Sequence, residues 1–462
     1  MKTDTIAAIA TAMSDSGIGI IRVSGTEAVD VVNKIYRSKN RKKNLSDYAT
    51  HTINYGFIYD GDEMIDEVMV ALMLAPKSYT TEDTVEINCH GGVLVMNRIL
   101  ETVLKNGARM AEPGEFTKRA FLNGRIDLSK AEAVMDLIHS KNEFALKSSA
   151  KQLRGSVSSI IKELREKIIY EIAFIESALD DPEHISLDGY YVILSEKLDQ
   201  LLFQLKKLLD SADNGRMLKE GISTVIVGKP NAGKSSLLNL LVGEEKAIVT
   251  DIAGTTRDVL EENIRLHGIS LNMIDTAGIR STEDVVEKIG VEKAKKYAMD
   301  ADLILYVVDS SVPLDESDEE ILSLTTGKKT IILLNKTDLE PVVTEEILRK
   351  KMNPDQEIRI IKTSTKENTG IDVFENVIKE MFFQGEIEIH DEVMITNMRH
   401  KEAVSDAYRS LTMVKQSIEA GMPEDFLSID LMSAYTSLGY IVGEEVGEDL
   451  VNEIFSKFCM GK

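Results

Sequence analysis

Cysteine is scarce: Cys89 and Cys459 are the two thiols in 462 residues. One widely separated pair makes neither a disulfide framework nor a zinc site, so each is expected as a free thiol. Long apolar runs are missing too. Stretches such as Leu303–Val308 fall far short of a membrane span, and Met1-Lys2-Thr3-Asp4-Thr5-Ile6 has no apolar segment behind a basic start. The expectation is a cytoplasmic protein with no membrane partner. Positive charge is the minority sign, with 54 Lys and Arg against 77 Asp and Glu and a formal net charge of −23. That balance excludes a nonspecific coat on nucleic acid, which needs clustered cations. It leaves room for a local basic groove, from Lys34, Arg37, Lys39, Arg41, Lys42 and Lys43 or from Lys147, Lys151, Arg154, Lys162, Arg165 and Lys167. A solvated loop or helix face is the competing reading. Tryptophan is absent, yet 43% hydrophobic and 28% charged residues keep the composition of a soluble globular chain. No internal repeat, low-complexity tract or long Gly/Ser linker interrupts it.

The length calls for about three domains, since single cores stop growing near 250–300 residues. From Ile6 to about Phe116 short apolar runs alternate with turns; Gly17–Val23, Thr52–Ile58, Glu67–Leu74 and Thr84–Asn88 read as strands, Ala28–Tyr36 and Gly92–Asn106 as helices. Phe116 to about Asn214 carries Ala, Leu, Glu, Lys and Ile at helical spacing. Between Gly221 and about Phe382 strands Ser223–Val227, Ser270–Ile274, Leu303–Val308, Thr330–Leu334 and Arg359–Lys362 alternate with helices, the pattern of a largely parallel sheet. Helical periodicity returns at Val393–Met413 and Asp425–Phe458. The expected fold is α/β: a P-loop domain, with a mostly parallel sheet and helices on both faces, inserted into an all-helical domain and preceded by a small mixed α/β domain. The boundaries are residues 1–117, 118–215, 216–382 and 383–462.

Strand Ser223–Val227 runs into Gly228-Lys229-Pro230-Asn231-Ala232-Gly233-Lys234-Ser235 and then helical Ser236–Val242, which is GxxxxGKS in a strand–loop–helix context. Glycines let backbone N–H groups converge on phosphate oxygens and the helix N-terminus adds a favourable dipole. Lys234 would bridge the β- and γ-phosphates and Ser235 would ligate Mg²⁺. Strand Ser270–Ile274 ends in Asp275-Thr276-Ala277-Gly278, a carboxylate for the Mg²⁺ shell and an N–H for the γ-phosphate. Strand Thr330–Leu334 ends in Asn335-Lys336-Thr337-Asp338. The Asp338 carboxylate can accept from guanine N1–H and N2–H₂, which adenine cannot supply; such sites reject the analogue by roughly 10⁴–10⁵. These motifs specify a GTPase. Thr363-Ser364-Thr365 stands where GTPases carry their short guanine-contacting loop, but departs from the usual Ser-Ala, so a backbone role alone is expected.

Hydrolysis needs an oriented water and charge to offset that developing on the bridging and γ oxygens. The position after the Asp-x-x-Gly motif, where many signalling GTPases place Gln, is Ile279; acidic candidates nearby are Glu283, Asp284 and Glu287. Thr250-Asp251-Ile252-Ala253-Gly254-Thr255-Thr256 occupies the first switch, with Thr256 as second Mg²⁺ ligand. Together with Asn231 it resembles GTPases in which K⁺ replaces an arginine finger. That resemblance implies Asn231 as side-chain ligand and Thr250, Ile252 and Thr255 as backbone ligands. The expected GTP contacts are Asn231-Ala232-Gly233-Lys234-Ser235-Ser236, Thr250 to Thr256, Asp275-Thr276-Ala277-Gly278, Asn335, Lys336, Asp338 and Ser364.

Four further blocks carry a family likeness: Gly17-Ile18-Gly19-Ile20-Ile21-Arg22-Val23-Ser24-Gly25; Tyr79-Thr80-Thr81-Glu82-Asp83 with His90-Gly91-Gly92; Pro113-Gly114-Glu115-Phe116-Thr117-Lys118-Arg119-Ala120-Phe121-Leu122-Asn123-Gly124-Arg125; and Phe458-Cys459-Met460-Gly461-Lys462. Over essentially its full length the chain resembles the MnmE (TrmE) family of tRNA modification GTPases. The resemblance implies a homodimer formed through the N-terminal domain and a flavin-dependent partner, MnmG. It implies addition of an aminomethyl or carboxymethylaminomethyl group at C5 of the wobble uridine of certain tRNAs. It also implies a 5-formyl- or methylene-tetrahydrofolate held by Arg22, Glu82, Arg125 and Lys462, where Arg125 is Lys in some members and the fork of donors therefore differs. By the same comparison Glu287 is the residue that positions or activates the water, and Cys459 serves the modification step, with Lys457 and Lys462 as neighbours able to favour its thiolate.

Two other readings use the same nucleotide motifs: a GTP-dependent switch in ribosome assembly or signalling, and a folate-dependent one-carbon enzyme regulated by GTP. The first leaves the Arg22, Glu82, Arg125 and Lys462 blocks without a task. Loss of a general base costs about 10²–10⁴-fold, so Glu287→Ala is expected to slow single-turnover GTP hydrolysis by that amount; a near-normal rate removes Glu287 from the mechanism.

Overall fold

The computed structural model describes residues 4–39, 43–244, 262–266, 269–274, 297–352, 358–383, 393–444 and 446–462. They form two compact units, one of residues 1–138, 151–195 and 409–462, the other of residues 139–150 and 196–408.

Strands of the first unit are β1 (Ile6–Ile9), β2 (Ser16–Ser24), β3 (Tyr36–Ser38), β4 (Thr52–Asp60), β5 (Glu63–Met73), β6 (Thr84–Gly91) and β7 (Arg109–Met110). They lie in the order β3-β4-β5-β6-β2-β1-β7, antiparallel except for the parallel pair β1 and β7. Period-two alternation sends Ile21, Val23, Val68, Val70, Val85 and Ile87 to one face, where helices Ala28–Ile35 and Val93–Lys105 cover them with Val31, Val32, Met96 and Ile99. The other face carries Arg22 and Glu86 in register and the exposed Ile53, Tyr55 and Met69. β5 starts four residues before the expected Glu67, because Gly61 at φ 63° closes a tight turn and a register shift at Ile58/Tyr59 breaks the alternation that the reading relied on.

Helices Glu115–Leu122, Leu128–Ile138, Ser156–Asp180, Glu424–Val442 and Glu448–Ser456 complete this unit. The helical periodicity expected over Asp425–Phe458 resolves into two helices parted at Gly443, whose φ of 87° is left-handed and whose added Cβ would lie 2.7 Å from Phe121 Cε2. Arg165 does not face a basic groove: it is buried with its guanidinium 4.0 Å over the Tyr435 ring and paired with Glu444.

The second unit holds β8 (Ile222–Val227), β9 (Glu262–Leu266), β10 (Ile269–Met273), β11 (Leu303–Asp309), β12 (Thr330–Asn335) and β13 (Ile358–Lys362), ordered β13-β12-β11-β8-β10-β9. Every pair is parallel except β9 with β10. β9 was not anticipated: its apolar positions Ile264 and Leu266 alternate with polar ones over a short edge strand. Strands β11 and β12 are nearly continuous apolar runs because both faces are covered. Leu271, Leu305, Leu333, Phe374 and Ile378 pack on one face, and Val225, Ile304, Tyr306, Ile332 and Leu348 on the other. Helix Met398–Glu419 begins later than the expected Val393, since Asn397 Oδ1 accepts the Arg399 N–H at 2.9 Å and caps the start. Among the described residues no helix is long and apolar enough to cross a membrane. Parallel strands bring the carboxyl ends of β8, β11, β12 and β13 to one edge, where their loops converge.

Candidate nucleotide-binding site

The loop after β8 is built on close backbone approach. Gly228 has φ 152°, and a Cβ there would meet Val307 O at 2.4 Å; Gly233 has φ 105°, and a Cβ there would meet Asn335 Nδ2 at 2.1 Å. Asn231, at the exposed tip, is also left-handed with φ 64°. Helix Lys234–Glu244 follows at once, and its first turn carries Ser235 and Ser236. Lys234 Nζ donates to Gly228 O at 2.6 Å and to Lys229 O at 2.7 Å. Burial holds this ammonium below the usual lysine range. A part-buried cation beside two loop positions that have no room for a Cβ fits an anionic phosphate chain, whose charge would favour the ammonium.

Asn335, at the end of β12, ties two loops together. Its Nδ2 donates to Ala232 O at 2.9 Å and its Oδ1 accepts the Thr365 N–H at 3.2 Å. Lys336 has φ 62° and its ammonium lies 2.5 Å from Asp309 Oδ2. Asp338 Oδ1 accepts the Ser364 hydroxyl at 2.8 Å, while Lys366 Nζ stands 3.8 Å from Oδ2. Ser364 thus does more than the backbone role expected of it: its hydroxyl fixes the rotation of the carboxylate and also accepts the Glu367 N–H at 3.2 Å. The structure therefore brings Asn231, Ala232, Gly233, Lys234, Ser235, Asn335, Lys336, Asp338 and Ser364 to one edge. Thr250, Asp251, Ile252, Ala253, Gly254, Thr255, Thr256, Asp275, Thr276, Ala277, Gly278 and Glu287, with Ile279, Glu283 and Asp284, lie outside the described residues.

A second constellation forms in the first unit. Arg22 Nε donates to Glu86 Oε1 at 2.8 Å and Nη1 to Gly461 O at 3.0 Å, so the Cys459–Lys462 tail returns to β2. Gly461 has φ 86° and a Cβ would meet Ile9 O at 2.3 Å, which requires glycine in the tail. Lys462 is half-buried, and burial followed by the Arg22 charge lowers its ammonium's pKa, with Glu86 and Cys459 acting in the opposite sense. Cys459 is exposed, and Lys457 pairs with Glu453 at 3.2 Å. Cys89 is the inert thiol, buried and pushed up to about 11 by desolvation. Glu82 is engaged elsewhere: it accepts from Arg119 Nη1 at 3.0 Å and from Ser24 Oγ at 3.1 Å. Arg125 donates to Tyr79 O at 3.0 Å and borders a cavity of about 670 Å³ lined also by His51, Lys77, Tyr79 and Asn123. The Tyr79 ring centre lies 5.5 Å from Arg22 Cζ and 4.7 Å from Arg125 Cζ. Arg119, Glu86 and Tyr79 were not singled out from the sequence; two of them sit inside the quoted blocks, and only cross-strand register reveals Glu86.

A parallel sheet whose first strand feeds a phosphate loop, with Asp338 just past the end of β12, two strands away, defines a P-loop GTPase. The GTP-binding protein TrmE N-terminus family matches residues 5–125 and the MnmE helical domain family matches residues 128–459. The tRNA modification GTPase MnmE of Lachnoclostridium phytofermentans is 58% identical over 462 residues, covering 100% of both chains. Its namesakes in Clostridioides difficile and Enterococcus faecalis are 50% and 49% identical, each covering at least 99% of both chains. The chain belongs to the tRNA modification GTPase MnmE family.

With Asp338 expected to accept from guanine N1–H and N2–H₂, Asp338→Asn would turn one of its two acceptors into a donor facing those donors. Guanine nucleotide affinity is expected to fall by roughly 10³-fold or more while xanthine nucleotide affinity rises, read by competition binding; unchanged guanine preference would remove Asp338 from base recognition.

Proposed function

We propose that this GTPase, acting with a flavin-dependent partner protein, drives addition of an aminomethyl or carboxymethylaminomethyl group at C5 of the wobble uridine of certain tRNAs in the cytoplasm. The observation that carries the reading is the return of the Cys459–Lys462 tail to Arg22, with Gly461 O accepting from its guanidinium at 3.0 Å. A plain GTP switch in ribosome assembly or signalling gives that second site no task. A GTP-regulated one-carbon enzyme gives the exposed Cys459 thiol none. The division at residues 1–117, 118–215, 216–382 and 383–462 assigns folate binding and dimerisation to the first part, hydrolysis to the third, and the Cys-x-Gly-Lys ending to the last. Exposed Ile53, Tyr55 and Met69 on the open sheet face support a dimer through the first part.

In the hydrolytic site Lys234 leaves its two loop carbonyls to donate to the β- and γ-phosphates, Asp338 selects guanine, and Glu287 orients the attacking water. Ser235 and Thr256 would hold Mg²⁺, with Asp275 available to its shell, and Asn231, with the backbones of Thr250, Ile252 and Thr255, would hold K⁺. When bound, the two cations supply charge that offsets the charge developing on the bridging and γ oxygens. In the second site Arg22, Arg125 and Lys462 offer cations for the carboxylates of a 5-formyl- or methylene-tetrahydrofolate, and the Tyr79 ring offers a stacking face beside a cavity of suitable size. Glu82, held by Arg119, is the acceptor of the set.

Replacing K⁺ by Na⁺ at constant ionic strength is expected to slow GTP hydrolysis by about 10³-fold or more, the scale of an arginine finger; equal rates would remove potassium from the mechanism. In a strain lacking the native gene, Cys459→Ser is expected to leave the wobble uridine unmodified by nucleoside analysis while the purified variant hydrolyses GTP at the normal rate. Normal tRNA in that strain even without any copy of the gene would defeat the whole proposal, and joint loss of both activities would assign Cys459 a structural role.

A further inference from the structure

Asp318 lies in the first turn of helix Glu316–Leu324 and is 1% exposed. A carboxylate removed from water persists only when its lone pairs are answered. Here Oδ1 accepts the Tyr306 hydroxyl at 2.6 Å, and Oδ2 accepts the Asp315 N–H at 2.9 Å and lies 2.7 Å from Lys229 Nζ. Lys229 Nζ is also 2.9 Å from Asp315 Oδ2. Lys229 is the second residue of the phosphate loop, and its carbonyl receives Lys234 Nζ at 2.7 Å and the Ala232 N–H at 3.3 Å. Tyr306 is in register with Val227, the last residue of β8. A chain of contacts therefore runs from β11 through a buried carboxylate to the loop backbone that meets the phosphate-binding lysine.

We propose that Asp318, backed by Tyr306, is the positioning residue of the phosphate loop: it holds Lys229 so that Gly228–Lys234 is shaped before nucleotide arrives. In this arrangement the Lys229 charge is spent on two carboxylates and makes no contact with phosphate. Preorganisation raises affinity by removing the ordering cost from the binding step. It acts on the part of the cradle common to GDP and GTP, so both nucleotides gain equally.

The test is a double-mutant cycle on the full-length chain, with equilibrium binding of fluorescent GDP and of a non-hydrolysable fluorescent GTP analogue. Lys229→Met and Asp318→Asn are each expected to weaken both nucleotides alike by about tenfold, and the double variant no more than either single one, because contacting groups in one network are not additive. Lys229→Arg, which keeps the charge, is expected to restore most of the affinity. Melting of the nucleotide-free variants separates damage to the fold from loss of positioning; if Asp318→Asn melts low, Tyr306→Phe takes its place in the cycle, with the same non-additivity expected. Additive losses, unchanged affinity in Lys229→Met, or a loss confined to the GTP analogue would overturn the proposal, the last because it would mean that Lys229 touches the γ-phosphate itself.

Discussion

Drawing an ammonium partly out of water is costly, and the phosphate loop is organised around one so placed. Lys234 is half-buried and rests on the carbonyls of Gly228 and Lys229. Two neutral acceptors hold the cation in place without satisfying it as a phosphate would. The surrounding demands follow. Gly228 and Gly233 must lack side chains because strand β11 and Asn335 press against them, and Asn335 must span from Ala232 to Thr365 to keep the phosphate and base loops in register. The core beneath, with Leu305, Leu333 and Phe374 fully buried, supplies the rigidity these short distances need.

The second site solves a different problem with similar means. Arg22 reaches the tail across 439 residues of sequence, and Gly461 is small enough to lie on the backbone of Ile9. Around it, Arg119 is nearly buried and binds Asp4, Glu82 and Glu115, which fixes the orientation of Glu82. Arg22 and Arg125 both lie within about 6 Å of the Tyr79 ring centre, two like charges kept near one ring whose quadrupole attracts cations.

What the amino-acid order made legible is what is local. Gly228–Ser235 declares itself because strand, turn and helix N-terminus follow one another within a few residues, and Asp338 because it ends a buried apolar run. The parallel sheet could be read for the same reason, since β8, β11 and β12 are almost wholly apolar. Edges and joints were harder: β9 is short and half polar, β5 is displaced by an irregularity, and Gly443 breaks a helix through a conformation that spacing does not encode. Contacts between distant positions were not readable at all. Nothing in the order of residues couples Lys229 to Asp318 or Arg22 to Gly461, and the departure of the Thr363-Ser364-Thr365 run from the usual Ser-Ala drew attention away from the Ser364 hydroxyl, which bonds Asp338.

The antiparallel pair β9–β10 stands apart in an otherwise parallel sheet. Glu262, the first residue of β9, is in register with Met273, the last of β10. The segment carrying Thr255 and Thr256 leads into the former, and Asp275 follows closely on the latter. The pair is a short antiparallel ladder at the edge of the sheet, from which the sequence runs back to Thr255 and Thr256 and on to Asp275, the residues proposed to meet the nucleotide. With β10 hydrogen-bonded to β8 on its far side, a one-residue slip of β9 would turn Ile264 and Leu266 out of the core, so burial of these two side chains pins the register of this edge.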